Sequence, residues 1–327
     1  SYAPKVLDTV NSKRAPEIAR IIGEAYYNTN KYAEAIPYFK KYEQAFGELP
    51  REGNYQIGYA YYKSKNYTDA LIYFIKTTES EEEDTLYQNI TYHMGDCYMK
   101  LGQKQKALQA FKKAAALDYS ASISEDALFN YAKLNYEISN SPYSEAIKVL
   151  KKYIKKYPGT ARAEEAYSYL VNAFITSKNY RDALEAIDQM QSPASDIKFI
   201  YQKAAYYQGI NYFNDAFFND AITFFDKSLK YSLDKQIKAS AIYWKAEAYY
   251  RLADYEKAIS NYKDYIQQPG SIGKPENGEA NYHVGYAYYN LKDYASSNLW
   301  FRKFVTFKPQ ADDKKINDAY NRIGDTY

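Results

Sequence analysis

Residue types that commonly do chemistry are sparse in this chain. It has two histidines, His93 and His283, and no set of further ligands stands near either at the spacing of a zinc motif. The one cysteine, Cys97, excludes a disulfide framework, and we interpret it as a small residue beside the core. No glycine-rich phosphate loop or Gly-x-Ser-x-Gly elbow occurs. The sequence therefore predicts no catalytic residues, no metal site and no cofactor.

Tyrosine is the outlier of the composition, with 42 of the 327 residues, and it recurs at fixed spacing. The repeating unit is clearest in residues 55–74, where a glycine, two tyrosines, an alanine and a phenylalanine follow one another. The same order returns near both ends of the chain. Its members are Gly58, Tyr61, Tyr67, Ala70 and Phe74, then Gly23, Tyr26, Tyr32, Ala35 and Phe39, and finally Gly285, Tyr288, Tyr294, Ser297 and Phe301.

Apolar residues within each unit are spaced i, i+3, i+4 and i+7, which predicts two helices joined by a short turn. Eight units fit residues 16–313, with first helices starting near residues 16, 51, 88, 125, 164, 202, 239 and 278. Residues 1–15 are a leader or a partial upstream helix, and residues 314–327 begin a ninth unit. The small residue of the second helix marks the period at Ala35, Ala70, Ala107, Ala146, Ala183, Ala221, Ala258 and Ser297.

This pattern resembles the tetratricopeptide repeat, whose signature is Leu-Gly, then a tyrosine, then an alanine and a phenylalanine four residues apart, then a proline. The resemblance covers nearly the whole chain. It implies an all-α fold, a right-handed α-solenoid of tandem helix-turn-helix repeats that forms one continuous array. Because the period here exceeds the family's usual length of about 34 residues, we predict longer connections between repeats.

Two sets of residues are predicted to pack between the helices. The small residue of each first helix is expected to face the small residue of the second, and Val171 at this position predicts looser packing in repeat five. The aromatic residue after each turn is expected to be a buried wedge: Tyr32, Tyr67, Tyr143, Tyr180, Phe218, Tyr255 and Tyr294. The large residue of the second helix is expected to be buried likewise: Phe39, Phe74, Phe111, Leu150, Ile187, Phe225, Tyr262 and Phe301.

In this family the first helices line an inner groove, so the resemblance implies which side chains a partner reaches. Tyrosine suits an interface, because it has a rigid apolar body and a polar tip. Packing against the next repeat and contact with a partner remain open alternatives for each residue. The predicted groove residues are Tyr27, Tyr55, Tyr62, Tyr92, Tyr136, Tyr206, Phe213, Tyr243, Tyr250, Tyr282 and Tyr289, and the same stripes include Met99, Phe129 and Ile175.

Tyr62, Tyr92 and Tyr136 lie on three consecutive repeats. Alanine at each is expected to weaken partner binding at least tenfold, because exposed aromatic residues carry much of the affinity of an interface. If the side chains face solvent, thermal stability is expected to change little.

The resemblance implies a non-enzymatic scaffold that binds a peptide or a partner protein in this groove. Some family members clamp a terminal carboxylate with lysines and asparagines, and that clamp is not reproduced. The corresponding positions hold Glu24, Asp96, Lys133, Asn172 and Glu247. Two alternatives remain open: a glycan-binding module of the bacterial cell envelope, since aromatic rings stack on sugars, and an architectural array that self-associates through its ends.

Charge is balanced over the whole chain, with 43 basic and 40 acidic residues, which gives no electrostatic case for nucleic acid or an anionic membrane as partner. No apolar run reaches the roughly 18 residues of a membrane span. Residues 157–167 are similar to repeat junctions of outer-membrane assembly lipoproteins and Tol-Pal-associated periplasmic proteins. That resemblance implies a periplasmic or cell-envelope location in a bacterium, with the cytoplasm as the alternative. The first residue is not methionine and the last repeat is partial, so we predict a piece of a longer protein.

Three junctions depart from the repeat. The acidic run 79–84 precedes a helix, where negative charge suits the helix dipole and solvent exposure is expected. Asn140, Ser141 and Pro142 lengthen the turn inside repeat four. Residues 267–278 are rich in proline and glycine and are either a hinge or an ordered longer loop.

Overall fold

The computed structural model describes residues 14–79, 82–139, 143–306 and 313–326. This part of the chain forms seventeen α-helices and no strand, which confirms the predicted all-α fold of tandem helical repeats. Odd numbers denote first helices and even numbers second helices. They are α1 (Ala15–Asn28), α2 (Tyr32–Phe46), α3 (Arg51–Lys63), α4 (Tyr67–Thr78), α5 (Thr85–Lys100), α6 (Lys104–Ala116), α7 (Ala121–Ile138), α8 (Ser144–Lys156), α9 (Ala161–Thr176), α10 (Tyr180–Asp188), α11 (Ser195–Asn214), α12 (Phe218–Lys230), α13 (Lys235–Arg251), α14 (Tyr255–Gln267), α15 (Glu276–Asn290), α16 (Tyr294–Thr306) and α17 (Asp313–Asp325).

The chain divides into two compact units, Ser1–Tyr169 and Leu170–Tyr327. In the first unit, helices α1 to α8 pack in chain order, so each second helix lies against its own first helix and the first helix of the next repeat. In the second unit, α10 to α17 pack in the same way. That one continuous array spans residues 16–313 stays a prediction.

The large residue of each second helix is buried as predicted, and none of the eight is more than 2 % exposed. The first-helix glycines, however, face these rings rather than the small residue of the second helix. A Cβ on Gly95 would lie 2.7 Å from Phe111, and one on Gly209 would lie 2.6 Å from Phe225. Glycine therefore recurs because a phenyl ring occupies the space of its missing side chain.

Repeat five solves the same packing problem with different residues. Val171 replaces the glycine and Ile187 replaces the phenylalanine, and they are 0 % and 2 % exposed. An aliphatic side chain leaves the room that a ring would fill, so the larger valine is accommodated. This burial gives no sign of the looser packing that Val171 led us to predict.

The prediction that the aromatic residue after each turn is a buried wedge is wrong. Tyr294 is 45 % exposed, and the other six residues of the set are half-buried. They stand at or just before the first residue of the second helix, at the edge of the packed layer. There six of the seven rings meet an aromatic residue near the end of the first helix, as Tyr67 meets Tyr62 with 6.2 Å between ring centroids. Tyr180 instead meets Tyr207 of α11, with 5.8 Å between ring centroids.

The long period has two sources. The first helices start at residues 15, 51, 85, 121, 161, 195, 235 and 276, up to seven residues before the predicted starts. The longest, α11, has 20 residues, and α7 has 18. Each of these helices alone takes up more than half of a two-helix unit of about 34 residues. Longer first helices therefore account for part of the extra length that we assigned to connections alone.

The turn inside every repeat except the fourth, whose turn is described only in part, has the same backbone conformation. One residue adopts the left-handed region, for example Lys65 with φ 62° and Ala253 with φ 59°. Its own N–H and the N–H of the next residue bond back to the first helix, as Lys65 N donates to Tyr62 O over 3.0 Å and Asn66 N donates to Tyr61 O over 2.9 Å. The side chain of Asn66 also accepts the Asp69 N–H, and Asn179, Asp254 and Asp293 cap their second helices in the same way.

Two buried glutamines tie consecutive repeats together, and nothing in the repeat pattern singles them out. Gln88 Nε2 donates to Leu117 O over 2.8 Å and to Ser124 Oγ over 3.0 Å, while its Oε1 accepts Ser120 N over 2.7 Å. Gln202 bonds the connection before α13 in the same manner. Both side chains are 0 % exposed. Each satisfies backbone groups that the end of one helix and the start of the next leave unpaired.

The junction at residues 268–275 is an ordered loop. It contains a 3₁₀ turn, Pro269–Ser271, in which Ser271 is fully buried and accepts a hydrogen bond from Asn277 Nδ2. Gly270 rests on the backbone of α13, because a Cβ there would lie 2.1 Å from Lys235 O. The ordered-loop alternative is therefore the one the structure shows.

The remaining junctions are described in part. Asp84 from the acidic run caps α5 by accepting Tyr87 N over 2.7 Å, while residues 80 and 81 lie outside the described residues. The insertion 140–142 and most of the segment 1–15 also lie outside them. On α17, Ile323 is buried and Ile316 half-buried against Phe301 and Phe304 of repeat eight. Tyr320 is 57 % exposed, because that side of α17 faces outward.

Candidate functional site

Four of the five predicted groove residues of the first unit, Tyr27, Tyr55, Tyr62 and Tyr92, belong to one network of aromatic rings. Tyr136 lies outside it and contacts the rings of Tyr143 and Tyr169 instead. The ring of Tyr59 lies 6.0 Å from that of Tyr27, 5.8 Å from Tyr55 and 5.9 Å from Tyr62. Tilted and edge contacts of this kind stabilise ring pairs by about 0.5–1.5 kcal/mol beyond burial. Tyr59 connects the network although it is not in the predicted set, because the position directly after the helix glycine was not assigned to the groove.

His93 is the centre of this network. Its ring lies 5.1 Å from Tyr59, 4.9 Å from Tyr62 and 5.5 Å from Tyr92. Burial lowers the pKa of His93 to about 4, and Nδ1 is buried without a hydrogen-bond partner in the described part of the chain. At neutral pH His93 is therefore an uncharged ring that packs between tyrosines. We name the surface formed by Tyr27, Tyr55, Tyr59, Tyr62 and Tyr92 the tyrosine face.

The tyrosine face is anchored by a hydrogen bond between repeats. Tyr62 donates its hydroxyl proton to Asp96 Oδ2 over 2.5 Å, which joins α3 to α5. Burial, and then this hydrogen bond, raise the pKa of Tyr62, so the phenol stays neutral. Tyr62 is half-buried and packs as well as faces outward. The expectation that alanine at Tyr62 leaves thermal stability unchanged does not fit these contacts.

A cleft of about 230 Å³ adjoins the tyrosine face between α5 and α7. Asp96 and Glu137 contribute negative charge to its lining, and Lys100 and Lys133 contribute positive charge. Asn130 lies in the wall and makes no side-chain hydrogen bond with any residue the structure describes. The cleft thus offers charges of both signs and a free amide group beside a row of aromatic rings.

Charged side chains on neighbouring first helices pair with each other. Arg51 donates to both carboxylate oxygens of Asp84, over 2.6 and 2.8 Å, and this hydrogen bond lowers the pKa of Asp84 to about 2. Lys133 donates to Glu165 over 3.1 Å. These pairs are partly exposed, so each adds little stability. Because of these pairs, few charged side chains are left unpaired along the first helices of the first unit.

In the second unit, the predicted groove residues also make core contacts. Tyr243 is only 8 % exposed, and its ring lies 5.1 Å from that of Tyr265, so its assignment to an open groove is wrong. Tyr282 donates to Asp318 over 2.8 Å, which ties α15 to α17. Phe213 lies 5.0 Å from Trp244, a half-buried residue that the sequence did not single out.

A polar cluster is buried beneath the first helices of the second unit. Tyr262 donates to Glu247 Oε1 over 2.5 Å, and His283 Nδ1 lies 2.7 Å from the same oxygen. Burial raises the pKa of Glu247, but the hydrogen bond and charge of His283 together with the Tyr262 bond outweigh it, so the net pKa is lowered. Glu247 and Tyr262 are 5 % and 0 % exposed, which identifies the cluster as a tie between α13, α14 and α15.

The structure therefore gives the predicted residues unequal roles. Of the eleven, Tyr243 is buried and the other ten are half-buried, and none is exposed. His283 has a carboxylate partner that sequence spacing did not reveal, because Glu247 comes from the preceding first helix. Among the described residues, no group of three histidine, cysteine or acidic side chains could hold a metal ion. No described helix is long and apolar enough to cross a membrane.

Family models of the tetratricopeptide repeat match residues 8–80, 89–121, 126–160 and 243–312, which is more than half of the chain. The chain belongs to the tetratricopeptide repeat family. The comparison with curated protein sequences gives no significant match.

Solved structures of other tetratricopeptide repeat proteins are similar to 64–90 % of the chain at low identity. One is the C-terminal part of a TPR repeat-containing protein from Cytophaga hutchinsonii, 18 % identical, covering 90 % of this chain and 97 % of that one, with a TM-score of 0.41. A second is the TPR2AB-domain:pHSP90-complex of yeast Sti1, 17 % identical, covering 85 % and 99 %, with a TM-score of 0.46. A third is YrrB, described as a TPR protein with an unusual peptide-binding site, 18 % identical, covering 64 % and 98 %, with a TM-score of 0.45.

Proposed function

We propose that this protein is a non-enzymatic interaction scaffold that binds a peptide segment of a partner along the tyrosine face and the adjoining cleft. The observation that carries the proposal is the cleft between α5 and α7. It combines an unpaired Asn130 amide with charges of both signs, and its lining residue Asp96 accepts the hydroxyl proton of Tyr62 from the tyrosine face.

These features fit an extended peptide. An asparagine side chain can both donate to and accept from a peptide backbone, which provides affinity without sequence preference. Lys100 is exposed and has no ion pair within the described residues, so it can meet an acidic side chain of the partner. The tyrosine rings offer apolar contact area at low entropic cost, because each has only two side-chain torsions.

The same geometry disfavours the glycan alternative. A sugar stacks on an open ring face that is flanked by free polar groups. On the tyrosine face the rings pack against one another and against His93 at 4.9 to 6.0 Å. The nearby Asp96 carboxylate is already held by Tyr62.

A selected peptide tests the proposal directly. A random peptide library displayed on phage is selected on the full chain, and the dissociation constant of a selected peptide is measured by calorimetry. Asn130→Ala should weaken binding about tenfold, since it removes one or two hydrogen bonds to the bound backbone. Asn219→Ala is the matched control, because Asn219 is an exposed helical asparagine of the second unit. Failure to select any peptide, or equal affinity for wild type and Asn130→Ala, contradicts the proposal.

A cell-envelope location remains a proposal that rests on the resemblance of residues 157–167 alone. Fractionation of cells that express the full-length gene tests it. Recovery with the periplasmic or membrane fraction supports it, and recovery with cytoplasmic markers contradicts it.

A further inference from the structure

The balanced net charge of the chain conceals a strongly basic surface on α6 and α8. These two second helices contain nine lysines and one acidic residue, Glu145. The other second helices of the first unit are balanced: α2 has two acidic and two basic residues, and α4 has one of each. The nine are Lys104, Lys106, Lys112, Lys113, Lys148, Lys151, Lys152, Lys155 and Lys156, and all nine are exposed. We name this surface the lysine face.

The arrangement of α8 shows how the lysine face forms. Its five lysines follow the spacing i, i+3, i+4, i+7 and i+8, which places them on one side of the helix. Val149, Leu150 and Tyr153 are buried on the opposite side. The outer side of α8 thus carries lysine at nearly every position.

Both helices pack against α7, so the two sets of lysines lie on neighbouring surfaces of one compact unit. Few carboxylates oppose them. Lys104 donates to Glu137 over 2.8 Å, and Lys156 lies 3.6 Å from Asp118. Glu83 and Lys113 line a shared cleft. Lys112, Lys148, Lys152 and Lys155 make no ion pair with any residue that the structure describes, and they concentrate positive charge far beyond what the net charge of +3 indicates.

We propose that the lysine face binds reversibly to an anionic membrane surface. Every cation in it is lysine, a compact and strongly hydrated point charge that suits diffuse contact with many headgroups. Arginine, which would provide bidentate contact to individual phosphates or bases, is absent from both helices. No large apolar side chain of α6 or α8 is exposed to stack on nucleic-acid bases.

A second feature favours lipid over an acidic polypeptide. A cleft of about 420 Å³ opens beside the lysine face between α4, α5 and α6. Met94 and Tyr98 line it, with Lys106 and Lys113 among its lining residues. An apolar depression bordered by ammonium groups fits an amphiphile that has an anionic head and an apolar tail.

Vesicle binding tests the proposal with the full chain. Cosedimentation is measured with vesicles of 30 % phosphatidylserine in phosphatidylcholine and with pure phosphatidylcholine. We expect binding only to the anionic vesicles, and we expect it to weaken at least tenfold from 50 to 300 mM salt because exposed charges are screened. Glycerophosphoserine at millimolar concentration should not compete, because a single soluble headgroup lacks the multivalent surface.

Charge removal tests the surface itself. The variant Lys112→Gln, Lys148→Gln, Lys152→Gln, Lys155→Gln should lose binding by more than a hundredfold, since each lysine near a charged leaflet contributes roughly fivefold. Lys41→Gln, Lys178→Gln, Lys203→Gln, Lys235→Gln removes the same charge from exposed lysines elsewhere and should bind within a fewfold of wild type. Arginine instead of glutamine at positions 112, 148, 152 and 155 should restore vesicle binding. That result would show that the glutamine variant loses binding through its lost charge and not through a folding defect.

Three results would overturn the proposal. One is equal binding of wild type to anionic and neutral vesicles. Another is equal loss in the two glutamine variants. The third is tighter binding to duplex DNA or to polyglutamate than to anionic vesicles at the same salt, since it would assign the lysine face to a different polyanion.

Discussion

At the scale of single residues, four polar side chains that are buried or half-buried form hydrogen bonds between helices or to the connection after a helix pair. Gln88 and Gln202 bond backbone groups of the following connection, and Tyr62 and Tyr262 donate to carboxylates of first helices. Such contacts decide stability more than the numerous surface ion pairs, because an unmade buried hydrogen bond costs about 1–3 kcal/mol.

Gln88→Ala tests the clamp between repeats three and four. It leaves Leu117 O and Ser120 N without their side-chain partner and opens a small cavity. We expect a loss of about 2–3 kcal/mol in the free energy of unfolding, measured by chemical denaturation. Gln105→Ala on α6 is the control, because Gln105 is exposed and should change stability by less than about 0.5 kcal/mol. Equal effects of the two changes would contradict the role of Gln88.

His93 makes stability depend on pH. Its pKa is lowered to about 4 in the folded protein, below the value of about 6.5 for an unfolded histidine. The unfolded state therefore binds the proton more readily than the folded state. The contribution of neutral His93 to the free energy of unfolding is complete above pH 6.5 and is lost as the pH falls towards 4. We expect wild type to lose about 2–3 kcal/mol more than His93→Phe between pH 7 and pH 4.5. Parallel pH profiles of the two proteins would exclude this role.

At the scale of helices and turns, the repeat was predictable because packing imposes it at every unit. Phe39, Phe74 and Phe111 recur at one phase since the core of each unit needs a large apolar side chain there, a position that Leu150 and Ile187 fill in repeats four and five. The details that the sequence missed depend on neighbours it does not show. Tyr243 and Tyr92 hold the same position in their repeats, yet Tyr243 is buried and packs on Tyr265 of the following helix, while Tyr92 is half-buried.

The site was less predictable for the same reason. A helical phase assigns a face to a residue but cannot tell how much of its side chain the next repeat covers. Tyr59, His93 and Asn130 became visible as site residues only through their ring contacts or their place in a cleft. The lysine face was missed because the net charge of the chain is a sum over all helices, in which the basic excess of α6 and α8 is cancelled by acidic residues elsewhere.

Ala253→Gly tests the turn geometry. Ala253 has φ 59°, a left-handed conformation that costs about 1–2 kcal/mol for residues other than glycine. Glycine removes this conformational cost from the folded state, but its greater freedom in the unfolded chain offsets part of the benefit. We therefore expect Ala253→Gly to stabilise the protein by about 0.5–1 kcal/mol. Ala33→Gly within α2 should have the opposite sign, at about 1 kcal/mol destabilising. A melting temperature that Ala253→Gly lowers would contradict this interpretation of the turn.

At the scale of the whole molecule, the helices inside each compact unit pack with their sequence neighbours, so stability is local. Gly95→Ala should place a methyl group within 2.7 Å of Phe111. The clash outweighs the better helix propensity, with a net loss of about 1–2 kcal/mol. Hydrogen exchange should accelerate in α5 and α6 and stay unchanged in α13 to α16. Uniform acceleration throughout the chain would show that the protein unfolds as one cooperative body instead.

The central claim, that a partner peptide lies along the tyrosine face and its cleft, is tested most directly by photo-crosslinking. A benzophenone amino acid is placed at Lys100, on the cleft, or at Ile72, which is 48 % exposed on α4. The full chain is irradiated with a peptide selected from the library, and the adduct is mapped by mass spectrometry. Our account predicts a strong adduct from position 100 that excess unlabelled peptide suppresses, and none from position 72. An adduct from position 72 alone, or from neither position with a peptide that binds, would contradict it.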